Sequence, residues 1–274
     1  MRRERYLTVA IYSLTTLIGL AAFFYPFFIP LLGPGDAATP LFSAPAMLAI
    51  LVVLSLAVLL IEGQGQRMGA KQVALLALLV AINSILRFLD NAFPLIFEFS
   101  PIFFLIVCTG YIFGGRFGLL LGTLTLLVSA LITGGVGPWL PYQMIVAGWV
   151  GLSAPLLRGP LRLLRLPAGG RGEIALLSAF AIGWGFAYGA IMNLWSWPFL
   201  TGDPTMFWEL GLPLAETLKR YATFYAATSF VADLSRAVGN GAMVILLGQA
   251  TLRALRRFHQ RFDFAVQPLL QPVS

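Results

Sequence analysis

Charge is scarce in this chain: 11% of its 274 residues are charged, while 59% are hydrophobic. An ordinary soluble domain is roughly one quarter charged, so this composition excludes one and requires lipid to face much of the surface. A mean hydropathy of +0.87 agrees. The chain has one histidine and one cysteine. Cys108 lies in an apolar run and has no partner within the chain, which excludes an intrachain disulfide and a cysteine zinc site. His259 reads as a solvated residue of a basic tail. Neither a GxxxxGK[ST] phosphate loop nor an HExxH pair occurs. ATP hydrolysis and histidine-metal catalysis are therefore not expected, and no catalytic residue, cofactor or metal site is assigned. The net charge of +7 is carried by residues lying between apolar spans. There they set orientation and meet anionic lipid, so nucleic acid is not an expected partner.

What is present is a series of apolar runs. A membrane helix needs about 20 such residues, and the uncharged stretches 6–35 and 37–61 each supply them. The first is too long for a cleaved signal core of about 7–15 residues, so it reads as a retained helix. Further spans are expected at about 72–89 and 99–115, joined by a polar turn with two prolines. The uncharged stretch 117–157 is broken by GGVGPWLP at 134–141 into two helices. Two more are expected at about 174–198 and 222–250. In hydrocarbon every backbone group must be satisfied internally, so the expectation is an all-α integral membrane protein of about eight transmembrane helices. The polar linker EGQGQRMG at 62–69 divides it. A two-helix N-terminal membrane extension with its linker occupies 1–68, loosely tethered to a six-helix membrane core at 69–257. A tail at 258–274 follows.

Counting Lys and Arg by side gives an orientation. With the N-terminus inside, one side holds Arg2, Arg3, Arg5, Arg67, Lys71, Arg116, Arg158, Arg162, Arg165, Arg171, Arg253, Arg256, Arg257 and Arg261, fourteen of the eighteen basic residues. The expected placement is multi-pass in the cell (plasma) membrane, with both termini cytoplasmic.

Polar residues within spans are costly and mark candidate sites. Asp233 and Arg236 share a helical face at i,i+3, either lining a cavity open to the outside or forming a structural ion pair. Arg87, Asp90 and Asn91 close the outer end of the third span, with Asn83 one turn below Arg87. Arg87 either contacts a ligand or snorkels to headgroups. Asn193, flanked by Trp195 and Trp197, needs a partner, while the tryptophans read as an interfacial belt. The break at 134–141 places Trp139, Tyr142 and Gln143 at the outer mouth. Ala70, Ala74, Ala77 and Ala81 form a small-residue face suited to close helix contact.

Four segments resemble the substrate-binding S components of energy-coupling factor (ECF) transporters. They are ALLALLVAINSILRFLD (74–90), VCTGYIFGGRFGLLLGTLTLLVSALITGGVGPWLPYQMIVAGWVGL (107–152), YGAIMNLWSWP (188–198) and RAVGNGAMVILLG (236–248). The resemblance covers about residues 69–257, and the two leading helices depart from the six-helix plan. It implies capture of a vitamin on the outer face, with ATPase subunits and a coupling membrane protein driving its release inside. It implies that Ala77 and Ala81 meet the coupling protein, and that Asn83, Arg87, Trp139, Tyr142, Gln143, Asn193, Asp233, Arg236 and Asn240 line the cavity. Cobalamin or a corrinoid-related precursor is the first expectation. Two other readings stand beside it. One is a self-contained secondary transporter coupled through Asp233, which would show repeated halves. The other is a membrane enzyme acting on a lipid or isoprenoid, which lacks a second clustered carboxylate.

Overall fold

The computed structural model describes residues 2–28, 46, 49–50, 53, 69–92 and 100–262. The second expected span and the linker at 62–69 lie outside them except for residues 46, 49–50, 53 and 69. Helices α1 (Arg2–Phe28), α2 (Ala70–Ala92), α3 (Ile102–Phe113), α4 (Gly115–Thr133) and α5 (Leu140–Ser153) come first. A 3-10 turn (Ala154–Leu157) leads into α6 (Arg158–Leu163). Then follow α7 (Arg171–Ser196), a second 3-10 turn (Trp197–Phe199), α8 (Leu214–Thr228) and α9 (Phe230–Phe262). No strand occurs among the described residues. Among the described residues, five helical stretches are long and apolar enough to cross a membrane: 70–90, 115–133, 140–163, 171–199 and 230–260.

At the centre stands α3. Every residue from Ile102 to Ile112 is buried. Its 12 residues rise only about 18 Å, well short of the ~30 Å hydrocarbon core, so it depends on its neighbours for shelter. Those neighbours finish its ends. Arg158 donates from Nη2 to the carbonyls of Tyr111 at 2.5 Å and Ile112 at 3.0 Å, capping the last turn. The arginine expected to serve orientation and lipid contact is thus turned inward.

α4 and α5 pack backbone to backbone. A Cβ on Gly122 would fall 2.2 Å from the Ala147 carbonyl oxygen, and one on Gly151 would fall 2.1 Å from that of Gly118. Small residues permit such an approach where lipid offers no hydrophobic contrast to hold helices together. The two helices part at the expected break, where Gly134 ends α4 with φ 67°, a left-handed conformation that suits glycine.

α1 is seated on this bundle. Phe23 is 2% exposed and packs edge-on to Tyr142 with ring centroids 5.2 Å apart. Phe27 lies 6.2 Å from the Trp197 ring. The loose tether concerns a linker whose residues 62–68 lie outside the described ones, but α1, the first helix of the extension, is packed on the core. Because α1 runs antiparallel to α5, with Gly19 against Ile145 and Trp149 and Phe23 against Tyr142, its start shares one end of the bundle with Arg158, Arg171 and Arg256. This is the basic end.

The expected eighth span is displaced. Residues 222–228 belong to α8, the chain turns at Ser229, and α9 runs on to Phe262. Ser229 has φ −126° and its amide still bonds Tyr225 O at 3.0 Å, while its own carbonyl starts α9 by accepting the Asp233 amide at 2.9 Å. Apolarity is continuous across the break, so hydropathy alone runs the two helices together. His259 packs edge-on to Phe113 at 5.4 Å, and its Nδ1 is buried. It is no solvated tail residue, because α9 continues beside α3 farther than the apolar run extends.

Candidate polar site among the helices

The polar residues gather at the end of the bundle opposite the basic one, in three groups around Tyr188.

The first group lies on α2. Asn83 is fully buried and donates from Nδ2 to Ile102 O at 3.2 Å and to Thr125 Oγ1 at 3.3 Å, tying α2 to α3 and α4. One turn on, Arg87 donates from Nη2 to Gln143 Oε1 on α5 at 3.1 Å. Arg87 therefore points into the protein rather than snorkelling outward. Asn83 Oδ1, Ser84 Oγ and Arg87 Nη1 are buried without a hydrogen-bond partner. Positions 83, 84 and 87 form one helical face, so an acceptor, a hydroxyl and a cationic donor lie side by side.

The second group is the Asp233–Arg236 ion pair on α9, with Asp233 2% and Arg236 9% exposed. The i,i+3 spacing brings the two together as expected. Room for the carboxylate comes from α7, where Gly189 has no side chain and a Cβ would overlap the Asp233 oxygens. The Arg236 guanidinium sits over the Tyr188 ring, 5.4 Å from its centroid, an electrostatically favourable stacking. Tyr188 feels the charges of Arg87, Arg236 and Asp233 together, which links the two groups.

The third group belongs to α8, which lies outside the spanning helices. Tyr221 donates its hydroxyl to Ala190 O on α7. Tyr225 abuts Asp233. Burial, followed by nearby negative charge, raises both phenols above their ordinary range and keeps them as neutral donors. Asn193 finds its partner here, donating to Ser229 Oγ at 2.7 Å.

Three expected residues have other employment. Asn240 is fully buried; its Oδ1 accepts the Phe104 amide at 3.0 Å, and its Nδ2 donates to Ser100 O and Arg236 O. Tyr142 is 1% exposed and clasped between Phe23 and Trp195, with the latter ring 4.8 Å away. Trp139 is 44% exposed and lies over Gly137, apart from the groups around Tyr188. Trp197 departs from the expected interfacial belt. It is 1% exposed, donates to Met206 O at 2.9 Å and packs on Tyr221. The segment after α7 folds back over it, which an aromatic count along the chain does not reveal.

Sequence reasoning missed Ser84, Tyr188, Tyr221, Tyr225 and Ser229. The hydroxyls are common in apolar helices, and their positions gain meaning only through α7–α9 packing. It also missed Glu173, 1% exposed at the basic end, which accepts from Tyr111 Oη at 2.6 Å and Gly169 N at 2.7 Å and pairs with Arg256. Ala70, Ala74, Ala77 and Ala81 are all exposed on α2.

No family model, curated protein or solved structure matches the chain. The helical bundle, with helices that can span a membrane, defines the class: a polytopic α-helical membrane protein.

Proposed function

We propose that the chain is the substrate-binding membrane subunit of an importer, and that it takes a small polar ligand at the end opposite the basic one. The observation carrying this is the face of α2 with Asn83 Oδ1, Ser84 Oγ and Arg87 Nη1 buried and unpartnered. Leaving such groups unmade costs about 1–3 kcal/mol each, more for a charge, so a ligand that completes them gains that energy on binding. An acidic or carbonyl-rich ligand satisfies Arg87, and its hydroxyl or amide hydrogens satisfy Asn83.

The particular kind proposed is an S component of an ECF-type importer, capturing a vitamin or precursor, with a corrinoid-related compound as the first guess. Its ATPase and coupling subunits would be separate chains. The sequence lacks a phosphate loop, in keeping with that division, and the exposed alanine face at Ala77 and Ala81 offers the coupling protein a close approach. The basic end is assigned to the cytoplasm in the plasma membrane. Eight spans follow if the uncharged run 37–61 makes one crossing, because α1 ends opposite the basic end while α2 starts near it.

Thermal melting of the purified full chain against a panel of vitamins and precursors tests this. One compound should raise the melting temperature saturably, contributing ~2.7 kcal/mol at one hundred times its Kd. Stabilisation by none of them overturns the reading. In co-expression, ATPase subunits should co-purify with the chain, and Ala77→Trp should abolish that while sparing ligand binding.

A further inference from the structure

At the basic end a different surface lies open. α7 and α9 touch backbone to backbone at Gly185, where a Cβ would fall 2.4 Å from the Ala237 Cα. Farther toward the basic end they part, and a Cβ on Gly248 would meet only side chains, Ile174 across on α7 and Val244 of its own helix, each at 3.4 Å. The space between them is a trough of about 600 Å³. Ile174, Ile182 and Ile245 wall it and Ala179 leaves it deep, while Arg171 and Gln249 stand at one end. The Ser178 hydroxyl is engaged by Gly241 O at 3.0 Å, so the middle of the trough presents mainly hydrocarbon.

Its dimensions and charge fit one kind of occupant. Arg171 and Ile182 are eleven positions apart, about 16 Å along the helix axis, close to the ~15 Å of hydrocarbon in one leaflet. Arg171 is exposed and makes no ion pair among the described residues. The nearest carboxylate along the sequence, Glu173, is buried and engaged by Tyr111 and Arg256. Arg165, Arg253 and Arg257 are exposed at the same end. A positive mouth above an apolar trough one leaflet long complements an amphiphile with an anionic head.

We propose that this trough is a binding site for an anionic phospholipid, its phosphate held by Arg171 and one acyl chain lying between Ile174, Ile182 and Ile245. The site is separate from the polar groups around Tyr188 and stands whether or not those bind a vitamin.

The test uses the delipidated full chain in detergent, titrated with phosphatidylglycerol or with phosphatidylcholine of the same acyl chains. Native mass spectrometry and thermal melting provide the readouts. Phosphatidylglycerol should add as one tightly held lipid and raise the melting temperature, with affinity at least tenfold above that of phosphatidylcholine. Arg171→Gln should remove most of that preference, weakening phosphatidylglycerol far more than phosphatidylcholine, whose phosphate is already offset by its choline, a loss on the scale of one charge-assisted contact. Ala179→Phe should block the tightly held lipid. Arg171→Gln decides alone if Ala179→Phe does not fold. Equal affinity for both lipids, an unchanged preference in Arg171→Gln, or occupation of the trough by a second copy of the chain overturns the proposal.

Discussion

Asn240 on α9 reaches across 136 positions of sequence to accept the Phe104 amide in the first turn of α3 at 3.0 Å. Its Nδ2 holds the Ser100 carbonyl at 2.8 Å, so one amide side chain closes the approach to α3 and its first turn. Pro101, at the N-cap position, makes no side-chain cap of its own. In a sheltered half-length helix those groups have no water to turn to, and a remote cap takes its place. Asn240 thus holds the bundle together beside the polar site, and none of its hydrogen-bonding groups is left over.

Asn240→Leu should therefore destabilise the chain by about 2–4 kcal/mol, since it strands the Phe104 amide and the Ser100 carbonyl and deletes buried bonds. Asn240→Asp keeps the acceptor but loses the donor, and should be no better, because it buries an added charge. Melting in detergent measures both. An unchanged melting temperature in Asn240→Leu would show that α3 is not held this way.

Asp233 and Arg236 neutralise one another in a buried setting. Asp233→Ala leaves Arg236 as an uncompensated buried charge and should cost about 3–5 kcal/mol. The double variant Asp233→Ala, Arg236→Met removes both charges and should recover much of that loss. Unfolding free energies of the wild-type chain and these variants decide it. A double variant no more stable than the single one refutes the pairing.

The i,i+3 spacing of that pair, the helix break after Gly134 and the polar face at Asn83 and Arg87 could be read along the chain, because each is a local relation within one or two turns. The caps on α3 could not. Asn240 and Arg158 act on groups 136 and 47 positions away, and neither carries a spacing signal. Trp197 is illegible for the same reason: an aromatic at the end of an apolar run resembles a belt residue until the following segment covers it. The junction of α8 and α9 is hidden because Ser229 interrupts the helix without interrupting the apolar run around it.

Asp203 in the segment after α7 offers a pH-dependent reporter. Its Oδ1 accepts the Thr205 amide and hydroxyl, each at 2.8 Å, and these bonds hold the carboxyl below its ordinary value. Stability from a depressed carboxyl is present above its unfolded value of about 3.9 and lost as pH falls through the lower folded value. In an NMR titration the Thr205 amide should move with a midpoint below the ordinary aspartate value. Asp203→Asn should erase that transition.

Gly122 and Gly151 should resist the substitution that usually strengthens a helix. Glycine to alanine in a helix interior gains up to ~1 kcal/mol of propensity. Here the new methyl would fall 2.2 Å from Ala147 O or 2.1 Å from Gly118 O, both backbone atoms that cannot rotate away. Parting α4 from α5 should cost about 1–3 kcal/mol for the overpacking, so Gly122→Ala and Gly151→Ala should each lower the melting temperature.

Arg87→Lys tests whether the fork of the guanidinium matters in the polar site. Nη2 is committed to Gln143 while Nη1 remains for a ligand. A lysine presents one ammonium and cannot reproduce both directions. For a ligand found in the vitamin screen, Kd should rise at least tenfold in Arg87→Lys. Gln143→Leu frees Nη2 from its tether and should also weaken binding, by a smaller factor, because it loosens the aim without removing the charge. Isothermal titration of the three chains measures the order. Equal affinity in wild type and Arg87→Lys would move the ligand away from α2 and leave Arg87 as a fastener between α2 and α5.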